Sequence, residues 1–412
     1  MRPHSRRDSR SSNRTPFPAG FGTIWSTVAL DLVGFGIILP ILPQYAERFG
    51  ASPAVVGALF ASFSVAQLLC APLWGSISDR IGRKPVLVLS LLGTAVGSLL
   101  TGLAGSLPLL FAGRILDGAS GASVSVAQAS VADISPPDQR ARLFGLLSAA
   151  FGVGFVAGPA LGALSALGGT RVPFIVAAAL AGANAVAALF RLPETRNHAA
   201  VPEPEAAEQP KRARGLVELI AIAFVSLLAF SAFEATFALF GERRLGLGPA
   251  STGAVFTAIG IVLVLVQTSL VHPTVDRFGE IRTLQLALAA NGLGLLLLAG
   301  VHSWWALVPA LFILVVGQGL AMPSLTSAFS ARASVAHRGG ALGVQQSATG
   351  LARVVGPITG GLAFEHIGIP APYIGGALLM GLCAVLVSTS SLVSRRSPTD
   401  RSPPLSSPQT PG

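Results

Sequence analysis

Long apolar runs separated by short polar stretches repeat along the whole chain. A helix needs about 20 apolar residues to cross the hydrocarbon of a bilayer. Twelve such runs are read here, over 21–43, 54–76, 86–106, 107–131, 142–166, 172–193, 215–240, 251–274, 282–301, 303–328, 340–364 and 370–393. Between the sixth and seventh lies a stretch of Pro, Glu, Ala, Lys and Arg with no apolar periodicity, as expected of a flexible linker. The pattern predicts an all-α membrane protein built from two six-helix halves. The expected division is a disordered tail over 1–19, a first bundle over 20–195, a linker over 196–214, a second bundle over 215–394 and a disordered Ser/Pro-rich tail over 395–412.

The second half repeats the first. Asp79, Arg80 and Gly82 after span 2 recur as Asp276, Arg277 and Gly279 after span 8, a shift of 197. Gly158, Pro159 and Gly162 in span 5 recur as Gly356, Pro357 and Gly360 in span 11, a shift of 198, and Arg140 and Gly145 recur as Arg338 and Gly343 at the same 198. Landmarks that agree within one residue mark an internal duplication. Two like halves around a central site are the architecture on which alternating access runs.

Composition agrees with the pattern. The chain is 51% hydrophobic and 11% charged, against about 25% charged in soluble domains. The net charge of +10 raises nucleic acid as a partner, but the basic residues are not clustered with aromatics as a binding face requires. They lie in the tails, the linker and every second loop. The other side holds only Arg48, Arg171, Arg243 and Arg244, while Arg114 and Arg353 fall inside spans. The positive-inside rule then places both termini in the cytosol. Cys70 and Cys383 have no metal-ligand spacing. No His-rich or acidic metal cluster, nucleophile elbow or phosphate-binding Gly loop occurs, so neither an enzyme, a metal nor a cofactor is expected. The expected partners are the bilayer, a small-molecule substrate and protons, with a monomer as the unit.

Charges inside spans are costly and mark function or pairing. Asp31, Arg114, Asp117, Glu234 and Arg353 are the clear cases. Arg114 and Asp117, three residues apart, are placed to neutralise one another, and Asp31 is a second candidate partner for Arg114. Glu234 has no basic residue within a helical turn or two along its own segment. Burial disfavours the charged form of a carboxyl, the property a proton carrier needs. Phe233 and Phe237, one turn apart beside Glu234, offer flat apolar surface for an aromatic or cationic solute. Gln67, Gln267 and Asn291 are further candidates for the cavity wall. The proton-coupling set is therefore Asp31, Arg114 and Glu234. Asp79 facing Arg338, and Asp276 facing Arg140, form a candidate charge latch between the halves. Pairs of this kind are worth at most about 1 kcal/mol when solvated.

Four motifs carry a family resemblance. Gly75, Asp79, Arg80, Gly82, Arg83 and Lys84 with Pro85 resemble the loop 2–3 signature of the major facilitator superfamily, with a degenerate copy in the second half where His272 replaces the leading Gly and Glu280 the Arg. Leu30, Asp31, Gly34, Gly36, Pro40 and Pro43 resemble the first-helix motif of the twelve-span drug:H⁺ antiporters. Gly113, Arg114, Gly118 and Gly121 resemble the superfamily's membrane-arginine motif. Gly145, Gly154, Gly158, Pro159 and Gly162 resemble the antiporter signature of span 5. The first half is most similar to the tetracycline/H⁺ antiporters, including Asp133 and Arg140. The resemblance implies a proton-coupled antiporter of the cell membrane exporting small amphipathic drugs. Where tetracycline pumps carry acidic residues in spans 3 and 9 and a His in span 8, this chain holds Gly97, Asn291 and Leu263, so the resemblance speaks to mechanism more than to that drug. A narrow-specificity metabolite or sugar transporter is the alternative of the same fold, and a non-transporting membrane sensor the remote one.

Overall fold

A computed structural model describes residues 17–136, 139–196, 210–332 and 338–389. The two expected disordered tails lie almost wholly outside these residues, as does most of the linker. Among the described residues are fifteen α-helices and no strand: α1 (Phe21–Ile38), α2 (Leu42–Glu47), α3 (Pro53–Ile81), α4 (Arg83–Gly102), α5 (Leu107–Ser120), α6 (Ser123–Ile134), α7 (Arg140–Ala166), α8 (Val172–Arg191), α9 (Pro210–Leu245), α10 (Pro249–Ser269), α11 (Val271–Phe278), α12 (Glu280–Ala299), α13 (Trp304–Arg332), α14 (Arg338–His366) and α15 (Ala371–Thr389). Helices satisfy every backbone group internally, which is what a chain crossing hydrocarbon must do.

Ten of these helices are long and apolar enough to cross a membrane. The remaining two expected spans depart from the simple pattern. The fourth, read as one run over 107–131, is broken at Gly121 and Ala122 into α5 and α6. The eleventh corresponds to α14, which is long but does not reach the same hydropathy. Arg353, Gln345 and Gln346 dilute it. Helix α9 begins at Pro210, inside the stretch read as linker. Bulky apolar side chains face outward around the bundle, among them Leu69, Phe190, Trp305 and Ile367. Such a surface is stable against lipid and not against water.

Small residues set the helix spacing. A Cβ on Gly158 of α7 would lie 2.6 Å from Gly36 Cα of α1, and one on Gly154 2.6 Å from Leu32 Cβ. In the second half a Cβ on Gly356 of α14 would lie 2.5 Å from Leu228 O of α9, and one on Gly360 2.9 Å from Ala232 Cβ. The repeated Gly-Pro motif thus does the same packing work twice, α7 on α1 and α14 on α9, as small-residue stripes do between membrane helices. Gly162 approaches Ile37 O in the same seam, and Gly145, near the start of α7, touches nothing.

Side-chain bridges join the two halves at one end. Gln44 of α2 donates to Leu247 O at 2.7 Å, Arg243 of α9 pairs with Glu47 at 2.9 Å, and Glu365 of α14 accepts from Ser52 Oγ at 2.6 Å and Ala54 N at 2.8 Å. All of these side-chain bridges lie away from the basic loops. On that side the backbones also touch: a Cβ on Gly57 would lie 2.2 Å from Pro357 O, and one on Gly361 2.4 Å from Pro53 O. At the basic end Gly75, Gly145 and Gly343 have nothing in reach. Among the described residues, the side-chain bridges between the halves therefore gather at the far end.

Candidate functional site

The loop between α3 and α4 is the most densely bonded part of the basic end. Gly82 joins the helices with φ +106, a conformation that favours glycine. Arg83 then reaches back to Asp79 at 2.6 Å, across to Asp133 of α6 at 3.0 Å, and to Ser78 Oγ at 2.6 Å. Glu194, just past α8, accepts from the backbone N–H of Arg83 at 2.8 Å and of Lys84 at 3.2 Å, so it caps the start of α4. Arg196 donates to Arg80 O at 2.6 Å. Neither Glu194 nor Arg196 was singled out from the sequence. A lone acid closing an apolar run beside a basic loop was the available signal.

Glu194 gives a pH prediction. Burial works against its charged form, but the backbone donors of Arg83, Arg196, Lys84 and Thr195 prevail and hold the carboxyl below its ordinary value, about 4.3. A depressed folded value stabilises the fold above the ordinary value, and that contribution is lost as pH falls through the depressed one. Melting of purified wild type should therefore fall more steeply below about pH 4 than melting of E194Q. Parallel acid limbs would show that the cap carries no such linkage.

Of the two latch pairs, Asp276 and Arg140 are not joined to one another. Asp79 is held by Arg83 within its own half. Asp276 lies 3.9 Å from His272 and is otherwise exposed, and Arg140 reaches Ala132 O at 3.5 Å. The side chain of Arg338 lies outside the described ones. Glu280, standing where the first half has Arg83, accepts from Ser327 instead. The second loop therefore lacks the Asp–Arg–Asp brace of the first.

Inside the first half, Arg114 pairs with Asp117 at 2.6 Å and stacks on the Phe63 ring at 4.3 Å, with Arg114 only 2% exposed. Of the two partners the sequence offers Arg114, Asp117 is the one it bonds here. Asp31 is half-buried and accepts from Ser123 at the start of α6. The break before α6 is stitched by side chains. Gln67 donates to Gly121 O at 3.1 Å, Trp74 to Ala119 O at 2.6 Å, and Ser90 to Ser120 O. Gln67, expected on the cavity wall, is thus committed to the broken helix. Its carbonyls have no helical partner, and unsatisfied carbonyls at membrane depth are expensive.

In the second half Glu234 is half-buried on α9 and Arg353 is exposed on α14. The sequence showed no cation near Glu234 because the two sit on different helices, brought together by Gly356 packing on Leu228 and Ser231. Phe233 and Phe237 are 1% and 0% exposed, with their rings 5.1 Å apart and Phe256 5.6 Å from Phe237. They belong to the core between α9 and α10 and line no open space in this state, contrary to expectation. Asn291 is also withdrawn from the cavity, since it donates to Gln318 at 2.8 Å in a buried interhelical bond. Gln267 is exposed. It continues the row of α10 that meets α7 through Gly253 and Gly260.

The motifs and the duplicated packing agree with comparison to known proteins. The sequence matches the Major Facilitator Superfamily over residues 24–274 and 219–411. It is 36% identical to the class C tetracycline resistance protein of Escherichia coli, over 81% of this chain and 87% of that protein. It is 30% identical to Multidrug resistance protein 2 of Bacillus subtilis (strain 168), over 89% and 94%. Among solved structures, the human organic anion transporter MFSD10 superposes with a TM-score of 0.68 at 25% identity, covering 89% of this chain and 98% of that one. A bacterial homologue of the lysosomal transporter Spinster, inward-facing and occupied, gives 0.70 at 17% identity, covering 92% and 98%. This chain belongs to the Major Facilitator Superfamily.

Proposed function

We propose that this membrane transporter is a proton-coupled antiporter that exports small amphipathic organic compounds by alternating access. The observation that carries the reading is a pair of carboxyls at membrane depth, Asp31 on α1 and Glu234 on α9. One stands in each half, and neither is in an ion pair among the described residues. A group in that position exchanges a proton for solute if it meets water from one side at a time. The bridges between the halves at the far end support a state closed on that side. The Arg114–Asp117 pair stands beside Asp31 and sets its electrostatic surroundings. Lys/Arg placement puts the basic end and both termini in the cytosol, so this state faces inward. The unit of function is the monomer, in the cell membrane, with twelve crossings.

Two positions argue against tetracycline itself as the substrate. A Cβ on Gly97 would lie 2.7 Å from Asp117 N, leaving no room for a longer side chain, and Asn291 is bonded to Gln318. Both places where tetracycline pumps carry acids are therefore filled by packing.

The test uses everted vesicles with an internal pH reporter, energised and challenged with a panel of amphipathic compounds. Wild type should discharge the proton gradient on addition of a substrate. E234Q and D31N, present in the membrane at equal amount, should discharge it no more than vesicles lacking the protein. Undiminished proton-driven transport by E234Q would remove Glu234 from the mechanism. Failure of every compound with wild type would remove drug antiport and favour the transporter of a single metabolite.

A further inference from the structure

Helix α14 is the expected span that is unbroken and yet too polar to count among the ten apolar crossings. Its polar residues are not scattered. At about 100° per residue, Gln346, Thr349 and Arg353 fall on one stripe of the helix. The neighbours of α14 locate that stripe. Pro357 and Gly361 meet α3, at Gly57 and Pro53, and Gly350 meets Leu68 of the same helix. Gly356 and Gly360 meet α9, at Leu228, Ser231 and Ala232. Arg353 lies between these two faces, directed at the seam where α3 of one half and α9 of the other approach. Its side chain is exposed there, with no hydrogen-bond or ion-pair partner among the described residues. Gln346, two turns nearer the basic end, is exposed as well. On α9, Thr236 donates toward Tyr373 of α15 at 3.2 Å. Glu234, two residues earlier, lies on the opposite side of α9 and so points to the same central seam.

An unpaired guanidinium at membrane depth is costly unless it meets water, a partner or a ligand. It offers a planar fork of five donors and no acceptor, the shape that takes a carboxylate or phosphate oxygen pair. A lysine or glutamine in its place cannot make the same two-pronged contact. In the first half, Leu32 and Phe35 of α1 stand together with Phe151 and Phe155 of α7 around a small apolar cavity. The second half thus brings an unpaired cation and a half-buried carboxyl to the seam, and the first half carries an aromatic-rich patch on α1 and α7.

We propose that Arg353 is an anion-binding residue of the solute site, with Gln346 beside it, and that the transported compounds carry a carboxylate or similar oxyanion on an aromatic body. This rests on the transport reading for its physiological sense, but the site itself is testable by binding alone. The probes are 2-naphthoate and 2-naphthamide, which share one aromatic body and differ in the anionic group. Binding would be measured on the full-length purified protein in nanodiscs by equilibrium competition against a fluorescent naphthyl carboxylate. Wild type should bind the carboxylate about tenfold tighter than the amide, the size of a charge-assisted bond worth about 1.5 kcal/mol. R353Q should collapse that ratio to near one, and R353K should keep only part of it. Size exclusion and melting of each variant establish that the ratio is read on folded protein. Because it compares two probes on one variant, a general loss of folding does not mimic the result. A carboxylate preference that survives in R353Q, or is missing in wild type, overturns the proposal. An Arg353-dependent preference in a protein that moves no proton would leave the site standing and overturn antiport instead.

Discussion

Replacing Asp117 with Leu should destabilise the protein by on the order of 3–5 kcal/mol, more than replacing its partner Arg114 with Met. The two side chains are joined at 2.6 Å and are almost wholly buried. Breaking a buried pair from one side leaves an uncompensated charge in an apolar place, and that residue carries the cost. The two sides are not equivalent. A carboxyl left alone can take up a proton and become neutral, whereas a guanidinium stays charged at any accessible pH. The variant lacking Asp117 strands the guanidinium, which keeps only the Phe63 face at 4.3 Å as compensation. Arg114 Nε also lacks a hydrogen-bond partner already, so the pair is not fully satisfied to begin with. The double variant R114M/D117L should therefore be less damaged than D117L alone. Unfolding of the purified variants in mixed micelles, arranged as a double-mutant cycle, reads all three values. Equal losses from the two single variants, or a double variant worse than both, would show that the pair does not act as a coupled buried charge.

The sequence made some of this plain and hid the rest for identifiable reasons. Apolar run length sufficed for the membrane class, because the bilayer fixes how long a crossing must be. The repeat at 197 and 198 residues sufficed for two halves, and its Gly-Pro landmarks proved to do the same packing in each. The break at Gly121 was not legible, since its exposed carbonyls are satisfied by Gln67, Trp74 and Ser90 from other helices. The pairing of Arg114 was legible in part. Spacing along one helix offered Asp117, and only the fold could decide between it and Asp31. Polar residues were the least readable class. Asn291 and Gln67 looked like cavity lining and turned out to be interhelical bonds, whereas Arg353, which does face the seam, has its neighbours on helices more than a hundred residues away. Phe233 and Phe237 failed as cavity residues because periodicity gives a face but not what covers it. Glu194 shows the same limit at the surface, since its partners are the backbone N–H groups of a loop 110 residues earlier.

Gly57→Leu should nearly abolish transport by preventing closure at the far end. In this state a Cβ at position 57 would lie 2.2 Å from Pro357 O and 2.9 Å from its carbonyl carbon. Both are backbone atoms that cannot swing aside. The mirror contact is Gly361 against Pro53 O at 2.4 Å, and α10 meets α7 in the same manner through Gly260 and Phe155 O at 2.2 Å. Overpacking such a seam costs about 1–3 kcal/mol, which changes the ratio of two states by about 5–150-fold. The cost falls on the state closed at the far end, so the population should move to the state open there. Gly75 lies at the other end of α3, and a Cβ there would meet no described atom within 4 Å. If the basic end closes in the same way during the cycle, Gly75→Leu should do the reverse and hold the protein in the state seen here. Both substitutions stop cycling, so transport alone does not separate them, but accessibility does. With Cys70 and Cys383 replaced by Ser, a single cysteine at Ala54 reports the far end through its rate of reaction with an impermeant maleimide. That rate should rise at least tenfold in Gly57→Leu and fall in Gly75→Leu. A Gly57→Leu protein that labels like its parent and transports at its rate would mean that the α3–α14 seam is not a gate.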